Sequence, residues 1–333
     1  MKSTLLTAVY VVLTMALVFL SFFFLSCTKK EVSIDQPKAP GNNQQPANSC
    51  NASKSAVENI QIFPSDNPWN QDISTAPIDP NSSQILANFS GSPVKTDFGS
   101  GTWDGAPTGI PFIVVCGDQQ KINVNFTDYG DESDAGPYAI PLNAPIEGNG
   151  SGDSHVISVD MQNGVLYELF NARANGDHWD ASSGAIFNLN SDQLRPDTWT
   201  SADAAGLPIF PGLVRYDEIA KGEIDHAIRF TLTSSNVKPA YINPARHKVN
   251  SSGGQYSLPF GAKMRLKVNF DISSYSATNQ VILKAFKKYG LILADIGSNM
   301  YVSGSPDERW NNDELRQLLQ VKASDFEVIK FNN

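Results

Sequence analysis

Two polar residues fall on strand-like stretches whose other inward positions are apolar. In Val165–Phe170, Glu168 alternates with Leu166 and Phe170. In His226–Leu232, His226 alternates with Ile228, Phe230 and Leu232. A carboxyl among apolar neighbours has its pKa raised by lost hydration, which suits a general acid near neutral pH. An imidazole placed there can accept a proton or hold the carboxylate. A buried ion pair or a hydrogen-bonded core histidine accounts equally well for either residue.

His155 follows Gly150-Ser151-Gly152-Asp153-Ser154, where a loop enters a strand, and Asp153 is near enough in sequence to orient it. Asp203 and Arg215 lie in the stretch Trp199–Glu218, which is dense in Gly, Pro and small residues. A long shaped loop of that kind commonly lines a site, although Asp203 could simply cap a short helix. Arg246 and His247, in Pro244-Ala245-Arg246-His247, could clamp an anionic group, since guanidinium offers a fork to a carboxylate. Trp179 is a candidate for stacking against a sugar ring. The expected catalytic set is therefore His155, Glu168, Asp203 and His226, with Arg215, Arg246, His247, Trp179 and Tyr301 binding substrate.

The sequence has no Gly-rich phosphate loop, no His-Glu-x-x-His and no Gly-x-Ser-x-Gly. No cofactor is expected. The acidic run Asp128–Asp134 resembles a calcium loop in composition but misses the EF-hand spacing, so structural Ca²⁺ competes with an ordinary solvated turn. With 25 Lys+Arg against 34 Asp+Glu the formal net charge is −9, which disfavours nucleic acid as a partner.

The elements that must position these residues read mainly as strands. Lys263–Ile272 alternates most cleanly, and Lys121–Thr127, Ile110–Val115, His155–Asp160, Val165–Phe170 and Ala227–Leu232 follow. Gln162-Asn163-Gly164 predicts a hairpin turn. Helices are expected over Asn279–Tyr289, closed by Gly290, and in short pieces over Pro211–Ala220 and Asp313–Leu319. The expected fold is mainly β: a two-sheet antiparallel sandwich of the jelly-roll or concanavalin type with a few short helices, with a distorted barrel as the alternative.

Lys2 precedes an apolar run, Leu5–Leu25, which ends in Phe24-Leu25-Ser26-Cys27. This resembles a bacterial lipoprotein signal peptide, with Phe24 where Leu is usual. The resemblance implies cleavage before Cys27, lipidation of Cys27 and anchoring to the outer membrane, on its periplasmic or surface side. A plain transmembrane anchor is the competing reading, since the run is about long enough to span. The expected organisation is a signal peptide over 1–26, a lipidated Cys and Pro/Asn/Gln/Ser-rich tether over 27–56, and one domain over 57–333. Cys50 and Cys116 could form a disulfide in an oxidising compartment, or Cys116 could be a buried thiol.

Asp153–His155, Leu166–Phe170, Ser201–Glu218, Ile224–Phe230 and Leu291–Gly304 are similar to segments of a family of exported bacterial proteins. That resemblance spans most of Ile62–Val328 and implies one domain, but no particular reaction.

A lipid-anchored acidic β protein with Trp103, Trp179, Trp199 and Trp310 fits an enzyme acting on polysaccharide. A hydrolase needs two carboxyls, here Glu168 and Asp203. A lyase would use His155, His226 or Tyr301 as base, with Arg246 neutralising a uronate. A non-catalytic glycan-binding lipoprotein and a protein-binding surface component are the alternatives.

Overall fold

The hairpin Val156–Asp160 and Val165–Phe170 pairs antiparallel across the turn at residues 161–164, where Gly164 takes φ +64°. Its residues are buried along most of both strands. In this computed structural model the described residues are Ala52, Ser53, Val57 and 62–331, and they belong to one compact unit, Ser49–Asn333. The signal-peptide and tether expectations, with Cys27 and Cys50, lie outside the described residues. Cys116 is disulfide-bonded, so it is not a buried free thiol.

Ten strands form the two larger sheets. They are β1 (Lys95–Asp97), β2 (Ile113–Val115), β3 (Val156–Asp160), β4 (Val165–Phe170), β5 (Ser183–Asn188), β6 (Ile228–Leu232), β7 (Lys263–Leu266), β8 (Leu291–Ile296), β9 (Tyr301–Ser303) and β10 (Phe326–Val328). One sheet has the order β1-β9-β6-β8-β7-β10 and the other β5-β4-β3-β2. Three smaller sheets complete the β content, so the chain is mainly β with few helices and, among the described residues, no closed barrel.

The sheets are not purely antiparallel. β1 pairs with β9, β6 with β8 and β2 with β3 in parallel. Parallel neighbours need a long crossover. Between β6 and β8 it includes β7 and the helix α1 (Ala277–Lys288). Ser276 caps that helix by accepting from the Asn279 amide, Ile282, Leu283, Ala285 and Phe286 are buried, and Gly290 follows at φ +76°. A Cβ on Gly290 would stand 2.3 Å from the Met264 carbonyl oxygen, so the helix stop and the close packing require glycine.

The strand expected over Lys263–Ile272 ends at Leu266, where its partner β10 also ends, at Phe326. The Phe270 amide then closes a turn on the Lys267 carbonyl and Val268 stands in solvent, so alternation continues in sequence without a ladder to support it. The principal core joins the two larger sheets, with Phe112, Phe210, Phe230, Phe260 and Phe286 among its largest members.

Candidate active site

The polar centre of the molecule lies on one face of the six-stranded sheet. Lys95 pairs with Tyr301, Tyr301 with Thr231, and Thr231 with Asp295, so these four side chains stand in one row. Two residues along the strands the same face carries Asp97, Ser303 and Arg229. Asp97 pairs with Ser303, and Arg229 Nη1 donates to Ser303 Oγ at 2.6 Å.

A β-bulge decides which way Asp295 points. Phe230 pairs with Leu293, but Thr231 pairs with Asp295, leaving Ala294 as the extra residue. A regular ladder would put Asp295 on the face opposite Arg229; one inserted residue re-aims it. The displaced Ala294 carbonyl accepts from the Ala205 amide at 3.1 Å, tying the bulge to the loop that carries Asp203.

That loop, 200–207, is fixed from within and from behind. Ser201 Oγ donates to the Leu207 carbonyl at 2.6 Å and accepts from the Asp203 amide at 2.9 Å. Gly206 takes φ +67°, and a Cβ there would meet the Trp199 carbonyl at 2.5 Å. The Arg246 and His247 amides both donate to the Ala205 carbonyl.

Arg229 stands between two carboxyl groups. Its Nη2 lies 2.8 Å from Asp203 Oδ1 and 3.9 Å from Asp295 Oδ2. Asp203 is buried and its Oδ2 has no hydrogen-bond partner, while the Asp295 side chain keeps 25% of its surface exposed. Burial and the Asp203 charge push Asp295 up to about 7, against the pull of Arg229. Burial likewise raises Asp203, opposed by Arg229. Arg229 and the nearby His155 pull both carboxyls down, but burial and repulsion among the carboxyls outweigh that pull, so both stand above the ordinary carboxylate range.

His155 lies beside this pair, with Nδ1 2.5 Å from Glu147 Oε2 and Nε2 3.0 Å from the Ala202 carbonyl. Both ring nitrogens face oxygen acceptors, so both carry protons. Burial opposes the charge, but Glu147 overrides it and lifts the imidazole to about 9. Glu147 is correspondingly held below its ordinary range, its burial outweighed by His155. The orienting carboxylate is thus Glu147, from a 3₁₀ turn at Glu147–Asn149, while Asp153 is exposed. A doubly protonated imidazole cannot accept a proton, so His155 as a base does not fit this arrangement.

Glu168 is wholly buried and accepts from the Ile209 amide at 2.9 Å and the Phe210 amide at 2.8 Å, at the start of the 3₁₀ turn Phe210–Gly212. Burial raises it to about 7 despite those amides. It interacts electrostatically with His155, and Asp203 with both, so the structure does bring His155, Glu168 and Asp203 together. Glu168 pins a turn and is closed to substrate.

His226 goes elsewhere. It precedes β6, and its Nε2 lies 2.8 Å from Glu218 Oε1, which also accepts from Arg215 Nη2 at 2.5 Å. Arg215 stacks on Phe210 at 4.8 Å and donates to the Phe210 carbonyl. This buried Arg215–Glu218–His226 cluster locks the helix Tyr216–Lys221 to the chain before β6. Arg215 is therefore enclosed and unavailable to a ligand. Trp179 is 0% exposed and donates to the Ile140 carbonyl at 3.2 Å, so it is core and cannot stack on a sugar. Arg246 pairs with Asp197 at 3.1 Å, and His247 Nδ1 lies 2.8 Å from the Ala204 carbonyl; both brace the Asp203 loop from behind. Tyr301 is half-buried in the row that contains Asp295.

The acidic run Asp128–Asp134 meets protein donors. Asp128 accepts from Ser182 and Thr127, Asp134 from Arg195, and Glu132 from the Thr200 amide. Among the described residues no three His, Cys, Asp or Glu are grouped to hold a metal ion.

Sequence reasoning missed Asp295, Arg229, Glu147 and Asp97. Only Asp295 carried a signal, as a carboxylate at the end of an apolar run just before Gly297-Ser298. Asp97 is exposed at the mouth of the site, and surrounding protein and the Glu147 charge raise it. No family model, curated protein or solved structure matches the chain.

Proposed function

We propose that the protein is an exported, lipid-anchored enzyme of the cell envelope that hydrolyses polysaccharide, with Asp295 as its proton-transferring carboxyl. The six- and four-stranded sheets are the layers of the sandwich on which this reading rests. The observation that carries it is Arg229 between Asp203 and Asp295. Sharing one guanidinium nitrogen keeps the two carboxyl groups close enough for the buried Asp203 to hold up the pKa of Asp295. A carboxyl lifted to about 7 and partly open to solvent holds its proton near neutrality and can deliver it to a leaving oxygen. Asp203 and Arg229 are positioning residues that set where that proton sits; Asp97, paired with Ser303, is the exposed carboxylate of the Ser303–Arg229 row.

Hydrolysis is favoured over uronate elimination on charge. A uronate entering this face meets Asp97 and Asp153 with Lys95 as the free cation of the Lys95–Asp295 row, while Arg229 is engaged by Asp203 and Arg246 lies behind the loop. The substrate is therefore an uncharged or amino-sugar polymer. The test is reducing-end release from a panel of neutral, amino and uronic polymers by the full-length protein and by Asp295→Asn. Release from a neutral or amino polymer that vanishes in the variant supports the reading. Cleavage of uronic polymers alone would point to elimination, and polymer binding without release to a glycan-binding lipoprotein.

A further inference from the structure

Trp103 is 80% exposed, yet the backbone beneath it is hydrogen-bonded at both ends. It sits on the two-stranded hairpin Thr102–Trp103/Ala106–Pro107, whose central residues Asp104 and Gly105 take φ +51° and +82°. Positive φ at both positions belongs to the tight turn that matches strand twist. The base of the hairpin is tied by two bonds between Ser100 and Asn312, each 3.0 Å. Its tip is tied by Asn149 Nδ2, which donates to the Gly105 carbonyl at 3.0 Å. Asn149 belongs to the same turn as Glu147, the partner of His155. A large aromatic held in solvent contributes little to the core.

Trp103 lines an open groove of about 540 Å3 with Lys95, Tyr301, Thr108, Asn312 and Arg316. Lys95 Nζ stands 5.2 Å from the Tyr301 ring, presenting a second ring beside a cation. The groove adjoins the strands that carry the site: Lys95 and Tyr301, which line it, are each two residues, about 6.5 Å, from Asp97 and Ser303 on the same sheet face, although neither Asp97 nor Ser303 lines the groove itself. Its wall thus combines aromatic faces with hydroxyl, amide and cationic hydrogen-bonding groups, the mixture that fits a sugar ring's apolar face and hydroxyl rim. Arg316 is engaged by Asp313. A polyanion spanning groove and site would meet Asp97 and Asp295 at the far end.

We propose that this groove is a substrate subsite that holds an uncharged glycan chain next to the cleavage point, with Trp103 as its stacking platform. The inference rests on the polysaccharide reading of the site. The test is affinity electrophoresis of the full-length protein through gels containing laminarin, xylan, mannan, arabinan or chitosan, alongside hydrolysis of the same polymers and of short aryl glycosides. At least one neutral polymer should retard the wild type. Trp103→Ala should weaken that retardation at least tenfold and raise KM on the polymer, and Trp103→Phe should restore most of the affinity. No retardation by any neutral polymer, or equal retardation of Trp103→Ala, overturns the subsite. Retardation that depends on Trp103 without hydrolysis of any substrate sustains the subsite and removes the catalytic reading.

Discussion

Thr231 and Asp295 face each other across β6 and β8 because Ala294 is one residue too many for the ladder. That insertion turns Asp295 toward Arg229, 3.9 Å away, and away from the face its alternation with Leu291 and Leu293 implies. Bulges of this kind recur beside active sites, where re-aiming one side chain is their use.

Neutralising Asp295 should separate chemistry from folding. Asp295→Asn removes a like charge next to Asp203, so the melting temperature should hold or rise slightly. Turnover should fall by about 10²–10⁴, the usual worth of a positioned acid or base. In the wild type, activity that needs the protonated acid should decline as pH rises through about 7. Undiminished turnover in Asp295→Asn, measured with a melt on the same sample, removes this residue from the reaction.

Arg229 is a structural keystone as well as a positioning group. Arg229→Met leaves Asp203 buried without its cation, at a cost of roughly 3–5 kcal/mol. Asp203→Asn in the same chain should recover more than half of that loss, because the stranded charge is gone. Urea unfolding of both variants and the double variant measures the coupling, and additive losses would contradict it.

Glu168 should behave as a turn anchor. In Glu168→Gln the oxygen can keep the Oε1 position, which accepts from both the Ile209 and Phe210 amides, but the amide nitrogen at the Oε2 position then faces the Ile209 amide. Leaving a buried donor unmet costs about 1–3 kcal/mol. Residual activity should track the folded fraction measured by circular dichroism. A fully stable, inactive Glu168→Gln would return Glu168 to the chemistry.

The His155–Glu147 pair sets a pH slope. The imidazole is raised above its ordinary 6.5, so its contribution is complete below that value and is lost as pH rises through about 9. For a buried group the loss is on the order of 3 kcal/mol. Melting temperature should therefore fall between pH 6.5 and 9.5, and His155→Gln should flatten that segment. An unchanged slope in the variant would assign it to other groups.

Anchoring has its own test. Cys27→Ala should abolish incorporation of a labelled fatty acid in the producing cell. Labelling equal to wild type would exclude Cys27 as the lipid site.

Local pattern determined a good part of this protein. Alternation defined Val165–Phe170 within the residues of β4, Asn163-Gly164 marked the hairpin turn, and amphipathic spacing with Gly290 marked the long helix, because each depends on neighbours in sequence. The same logic identified Glu168 and Asp203 as polar groups in unusual settings. It could not tell that Glu168 is satisfied by two backbone amides, since those come from Ile209 and Phe210, some forty positions away. It assigned His226 to the strand it precedes, whereas Glu218 and Arg215 hold it outside. Trp179 has the composition of a stacking residue, and only packing of the β3–β4 hairpin against its neighbours buries it. Arg229 and the orientation of Asp295 were invisible because a side chain's partner depends on which strands pair and in what register, and Glu147 because its turn meets His155 only in the folded chain. The bulge at Ala294 shifts that register by one, and only the tertiary structure contains it.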